Sequence, residues 1–239
     1  MLILSSVATT AEADDPSPLL DARSFRSNAD RIESILQFHL NFEYGFGAYS
    51  AADLLNYGCW CDLENPHRHG KPVDDVDKLC HKHFRCHRCV SMDSSYACSP
   101  DVQYELTFDT STQSHFCAAS NTDPCEMEAC LCDLELITQM VREAPNHDSY
   151  QVIDEYNTPV CESPDSPTFP VDSCCGEYPE RFPFSQVSGK GCCNNKVYNT
   201  NMFQCCDGMD IEPIGTCSVD PCFPDPCANG ECVPLNTAR

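Results

Sequence analysis

The sequence has no apolar run approaching the roughly 20 residues that a membrane-spanning helix needs. It is short of positive charge: 14 Lys and Arg stand against 37 Asp and Glu, a formal net charge of −23 over 239 residues. The imbalance runs the whole length of the chain. It argues against nucleic acid and anionic membrane surfaces as partners, because both are bound through Lys and Arg. Cations, basic proteins and mineral surfaces are compatible with it, and so is solubility alone. There is no Asn-x-Ser/Thr sequon, so N-glycosylation is not expected. Tandem Cys-x-x-Cys pairs of the structural-zinc kind are missing too: the spacing occurs at Cys86 and Cys89 without a sister pair.

What is abundant is cysteine, 21 residues in all. That density belongs to compartments where thiols oxidise, so the chain reads as secreted and extracellular. Each bridge contributes about 2–4 kcal/mol by restricting the unfolded chain, which lets small, weakly cored modules fold in series. The opening MLILSSVATTAEA has a short apolar run and an Ala11-Glu12-Ala13 end like a cleavage site, but no basic stretch. It reads as a weak or truncated signal peptide over residues 1–13.

Apolar spacing predicts three helices. Ser27 with Asp30 forms a capping pair for the first, and Ile32, Ile35, Leu36 and Leu40 make its stripe before Gly45 and Gly47 end it. A loop follows. The second runs from Asp74 to Val90, with Leu79, His83, Cys86 and Val90 at three- and four-residue spacing. Asp74, Asp75 and Asp77 read as a helix start that satisfies amide donors. The third opens at Asp123-Pro124 and runs through Met140, stopping before Pro145. Between the last two, Tyr104 to Phe108 alternates and turns at Asp109, which suggests a small hairpin ending near Cys117. Residues 144–171 are rich in Pro, Asp, Ser and Thr, as a linker would be. Beyond them come the doublets Cys174-Cys175, Cys192-Cys193 and Cys205-Cys206, a lone Cys217, and Cys222, Cys227 and Cys232. Adjacent cysteines are poorly placed to bridge each other, so each doublet is expected to reach two other partners.

The segments YGCWCD (57–62), GKPVDDVDKLCHKHFRC (70–86) and CEMEACLCD (125–133) resemble secreted phospholipase A2, whose pattern is YGCxCG, GxPxDxxDxCCxxHDxC and CxxxxCxCD. The resemblance implies the bridges Cys61–Cys80, Cys86–Cys132, Cys98–Cys125, Cys117–Cys130 and Cys59–Cys161. The first cysteine of the family doublet is Leu79 here and its partner position is Gln139, so both ends of one family bridge are replaced together. Cys89 has no family partner. In the family the His is the general base on a water, and the Asp of the third helix holds its imidazole. A calcium ion, held by carbonyls of a glycine-rich loop and by the carboxylate after the His, polarises the ester.

By that alignment His83 and Asp133 are a residual catalytic dyad, expected to be inactive. Phe84 stands where the calcium carboxylate should be, and a phenyl ring offers no oxygen to a hard cation. The loop remnant at Trp60, Asp62 and Glu64 leads through Leu63 and Pro66, which lack the dihedral freedom of the family's glycines. His87 replaces a usual Tyr. The histidines His67, His69, His81, His83 and His87 could be read as metal ligands, with His83 and His87 on one helical face, but a solvated polar helix is the preferred reading. No high-affinity metal and no tightly bound cofactor is expected, only calcium at low affinity through surface acidity.

The fold class expected is mainly α and disulfide-rich: phospholipase A2-like helices with a small β-hairpin, then an irregular or β cysteine-rich module. The domains expected are the signal at 1–13, a phospholipase A2-like domain at 14–161, a double-cysteine module resembling galaxins at 162–219, and a partial EGF-like segment at 220–239. The function expected is that of a non-catalytic, otoconin-like matrix protein, binding matrix proteins, calcium or mineral. A divergent, calcium-dependent phospholipase A2 acting on sn-2 esters is the alternative, and phospholipid is a partner only in that case.

Overall fold

The computed structural model describes residues 27–63, 70–99, 101–147, 152, 161 and 171–217. The leader, His67, His69, Glu64, most of the linker and the EGF-like segment lie outside those residues.

Helix α1 (Asn28–Tyr44) starts where Ser27 accepts the Asp30 amide at 3.2 Å and ends at Gly45, whose φ of 91° suits a residue without a Cβ. Ile32, Ile35, Leu36 and Leu40 are its buried stripe. It continues four residues past Leu40. The following stretch, expected to be a loop, contains α2 (Ala51–Leu55): Ser50 caps it, and Leu54 and Leu55 anchor it in the core. Five residues are too few for a periodic signal, and burial does the work that propensity cannot.

Helix α3 (Asp75–Asp93) is capped by Asp74, which accepts the Asp77 amide at 3.0 Å. Helix α4 (Pro124–Glu143) is capped by Asp123 and has Pro124 in its first turn, where the missing N–H costs nothing. A 3-10 turn, Ala144–Asn146, follows it. The two helices pack antiparallel. Cys86 bridges Cys132, and Leu79, seven residues back, lines the same cavity as Gln139, seven residues on. Between them in sequence lies the hairpin β1 (Leu106–Asp109) and β2 (Ser114–Cys117), tied to α4 by Cys117–Cys130. Bridges Cys61–Cys80, Cys98–Cys125 and Cys59–Cys161 close the remaining loops.

Beyond residue 171 the chain is strand-rich, so "mainly α" describes only the first part of the molecule. Three antiparallel pairs follow one another: β3 (Ser173–Cys175) with β4 (Phe182–Phe184), β5 (Lys190–Cys193) with β6 (Lys196–Asn199), and β7 (Phe203–Cys206) with β8 (Asp210–Pro213). The β5–β6 turn is Asn194-Asn195, both at positive φ, the mirror-image turn that matches strand twist. Of the two forms expected for this module, irregular or β, the described residues take the β one, as serial hairpins.

The doublets link these hairpins in series: Cys175–Cys192, Cys193–Cys205 and Cys206–Cys217. The remaining half of the first doublet reaches back, as Cys89–Cys174, to α3. Cys89, which the family pattern leaves alone, is thus the anchor of the C-terminal region. Around it Arg181 grips Asp93 with Nε at 2.5 Å and Nη2 at 3.1 Å, Tyr178 donates to Asp93 at 2.9 Å, and Arg85 sits 4.9 Å over the Phe182 ring. No helix among the described residues is long and apolar enough to cross a membrane.

Candidate active site and its relatives

The site is built where α3 faces α4. His83 and His87, four residues apart on α3, point the same way, and their rings lie 4.6 Å apart. Both aim Nε2 at one oxygen of Asp133: His83 at 2.6 Å and His87 at 2.6 Å from Oδ1. The other carboxylate oxygen accepts the Tyr104 hydroxyl at 2.5 Å. Asp133 is fully buried; the His87 side chain is 22 % exposed and the His83 side chain 8 %.

Burial alone would push the Asp133 carboxyl up, but His87 and His83 beside it outweigh that and hold it well below the usual carboxylate range. Burial and the neighbouring Asp133 push the Tyr104 phenol well above its ordinary value, so it acts as a donor. Behind Tyr104, the buried Arg31 guanidinium stacks 4.2 Å from the ring and bonds to Gln103. Helical spacing puts Arg31 four residues from Ile35, on the buried face, which was the signal available for it. Alternation suggests a strand from Tyr104, but the strand begins two residues later, at Leu106, and the partner of Tyr104 could not be read from spacing.

Two cavities flank His83. One, about 810 Å³, is lined by Ile32, Leu63, Phe84, Val90 and Tyr96 together with His83, His87 and Asp133. The other, about 250 Å³, lies between α3, α4 and residues 179–182, and Leu79 and Gln139 line it. The double replacement of the missing family bridge therefore borders a hollow that the C-terminal region covers.

On the loop side, the fully buried Asp77 accepts three backbone amides: Cys59 at 3.0 Å, Trp60 at 2.7 Å and Val73 at 2.9 Å. Asp74 and Asp77 are thus committed to helix and loop. Gly58, at φ 59°, lies so close to this carboxylate that a Cβ would come within 2.4 Å of it. The Trp60 indole donates to the Gly70 carbonyl at 3.2 Å. Its ring stacks 4.1 Å from His81 and 5.3 Å from Phe84. His81 is accordingly turned away from His83 and His87, and burial, helped by Arg85, lowers it to about 4.

Residues 35–151 match the sequence profile of the family described as phospholipase A2. Among relatives, the mouse group IIF secretory phospholipase A2 is 28% identical over 180 residues, 73% of this chain and 89% of that protein. The mouse group IIC secretory phospholipase A2 is 28% identical over 107 residues, 44% of this chain and 67% of that protein. The phospholipase A2 homolog otoconin-22 of Xenopus laevis is 31% identical over 103 residues, 43% of this chain and 75% of that protein.

The chain belongs to the phospholipase A2 family.

Membership raises the question of calcium, on which the family depends. The residues present do not fit it. Phe84 brings a ring to the carboxylate position, and that ring packs into the main core cluster against Trp60. His83 and Asp133 lie within hydrogen-bond distance, while the side chain after His83 is an aromatic ring against Trp60 that offers a calcium ion no oxygen.

Proposed function

We propose that this is a secreted, non-catalytic phospholipase A2-like protein of the extracellular matrix, which binds protein partners, calcium or mineral surfaces through its acidic exterior. The observation that carries the reading is Phe84 packed on Trp60 where a calcium-binding carboxylate is required. Without the metal's Lewis acidity the barrier rises by several kcal/mol, and each 1.36 kcal/mol is a factor of ten in rate. The net charge of −23 supports cation-rich surfaces as ligands. The bridges, present in both halves of the described chain, support an oxidising, extracellular setting. Resemblance to galaxins in the doublet region adds support for matrix assembly.

The alternative, a divergent phospholipase A2 cleaving sn-2 esters, is favoured by one observation: His83 and Asp133 keep a 2.6 Å contact beside a partly apolar cleft. Hydrolysis of phospholipid vesicles at millimolar calcium, with His83→Ala as control, separates the two. The proposal expects no turnover above the control. Turnover that disappears in His83→Ala establishes the enzyme and overturns it.

A further inference from the structure

We propose that His83, His87 and Asp133 form a binding site for a zinc-class transition metal ion, lying on the wall of the 810 Å³ cleft. This goes beyond the matrix reading and does not rest on it. Each of the three offers a ligand atom within 4.8 Å of those of the other two, and both Nε2 atoms lie 2.6 Å from Asp133 Oδ1. Two imidazoles and one carboxylate suit zinc, cobalt or copper and not calcium, which takes oxygen ligands.

Three features set this cluster apart from an ordinary hydrogen-bonded relic. A single imidazole is enough to pair with Asp133, yet two converge on the same oxygen, each at 2.6 Å. The second comes from His87, at a position where the family carries a Tyr that could donate but would be a poor ligand for zinc. Next, Tyr104 donates to Oδ2 at 2.5 Å, which orients the carboxylate and leaves Oδ1 facing the two rings. Ligating carboxylates are commonly held in this way by outer hydrogen bonds. Finally, the His87 side chain is 22 % exposed and the cleft is lined by all three residues, so an ion has an entry path and a coordination position open to solvent or an exogenous ligand.

The rearrangement needed is small. Tetrahedral zinc with ligands at about 2.0 Å sets them roughly 3.3 Å apart, so the imidazole edges must part from Oδ1 by roughly 0.7 Å. The displaced ring protons move to the Nδ1 nitrogens, so two neutral imidazoles and one carboxylate bind the ion with net charge +1. Metal on His83 and base catalysis by His83 through the same Asp133 contact are mutually exclusive, because the ion takes the place of that contact.

The test is titration of the full, oxidised chain with zinc in the presence of millimolar calcium, followed by calorimetry, together with cobalt substitution followed by visible absorption. One high-affinity ion per chain and an intense four-coordinate cobalt spectrum are expected. His87→Tyr restores the family residue and keeps a hydroxyl donor to Asp133, so it should fold, as circular dichroism would report. It should weaken zinc by roughly 100-fold or more and abolish the cobalt spectrum. A double His67→Gln, His69→Gln variant should bind as the parent does. The proposal is overturned if no ion binds below millimolar zinc, if His87→Tyr binds unchanged, or if the His67, His69 double variant is the one that loses the ion.

Discussion

Replacing Asp133 by Asn is the most searching perturbation of the site, because it removes a charge and almost no volume. The carboxylate accepts three hydrogen bonds, from His83, His87 and Tyr104, at 2.6, 2.6 and 2.5 Å, and is fully buried. Hydrogen bonds to a charged group contribute about 1.5–3 kcal/mol each, but they are not additive, and Asn keeps one acceptor oxygen. Removing one side of a buried charged arrangement costs about 3–5 kcal/mol, which is the loss expected here. Urea unfolding at pH 7 with the disulfides intact reads it directly, through Trp60, the single tryptophan, which is 8% exposed. The pH dependence supplies a second check. The folded pKa of Asp133 is depressed, so its contribution is complete above the unfolded carboxylate value near ~3.9 and is lost as pH falls below it. The gap between the parent and Asp133→Asn should therefore persist at pH 5 and shrink below about pH 4. A loss under about 1 kcal/mol at pH 7, or a gap at pH 3 no smaller than at pH 7, would refute the keystone role given to this carboxylate, whose contribution disappears fully only once the pH falls through its depressed folded value.

Other consequences can be measured alongside. The Cys89–Cys174 bridge has a sequence separation of 85, but Cys61–Cys80 and Cys59–Cys161 already shorten the path between its ends to roughly 24 residues. Loop-closure entropy then gives about 3.5 kcal/mol in place of about 4.6 for the uncrosslinked loop, so Cys89→Ala with Cys174→Ala should free the C-terminal hairpins. Hydrogen exchange would show this as faster exchange across residues 171–217, while α4 keeps its protection. His115 rests against His39 at 2.9 Å, and burial, with His39 adding to it, lowers its pKa to about 4. The unfolded chain takes up that proton first, so stability is complete above about pH 6.5 and falls as the pH drops towards 4. His115→Gln should flatten the melting temperature between pH 7 and 4.5; an unchanged slope would count against the pairing.

How much of this could be read in the sequence depended on range. The α3 and α4 faces were legible because cysteines at fixed spacing coincide with helical periodicity, and both point His83 and Asp133 at the same seam. Phe84 could be recognised as a missing carboxylate, but its packing on Trp60 is a contact across 24 residues that no periodicity encodes. His87 could be placed on the face of His83, yet the sharing of one Asp133 oxygen by both rings is tertiary and was missed. The α2 helix escaped because Ala51–Leu55 has too few residues for a stripe. The order in which the doublets pair was hidden for another reason: many connectivities are open to that many cysteines, and only the hairpin geometry selects one.

The serial linkage of the doublets has a mechanical consequence. Pulled out straight, the backbone from Cys174 to Cys217 would reach roughly 150 Å at ~3.5 Å per residue. The covalent route through Cys175–Cys192, Cys193–Cys205 and Cys206–Cys217 is far shorter, since each bridge spans 5.5–5.6 Å between Cα atoms and each doublet adds a single ~3.8 Å step. Tension applied at the two ends therefore meets a tether that is taut at about 30 Å. Hairpin unzipping can release almost no slack, and a load on Cys217 is passed through Cys174 and Cys89 straight into α3.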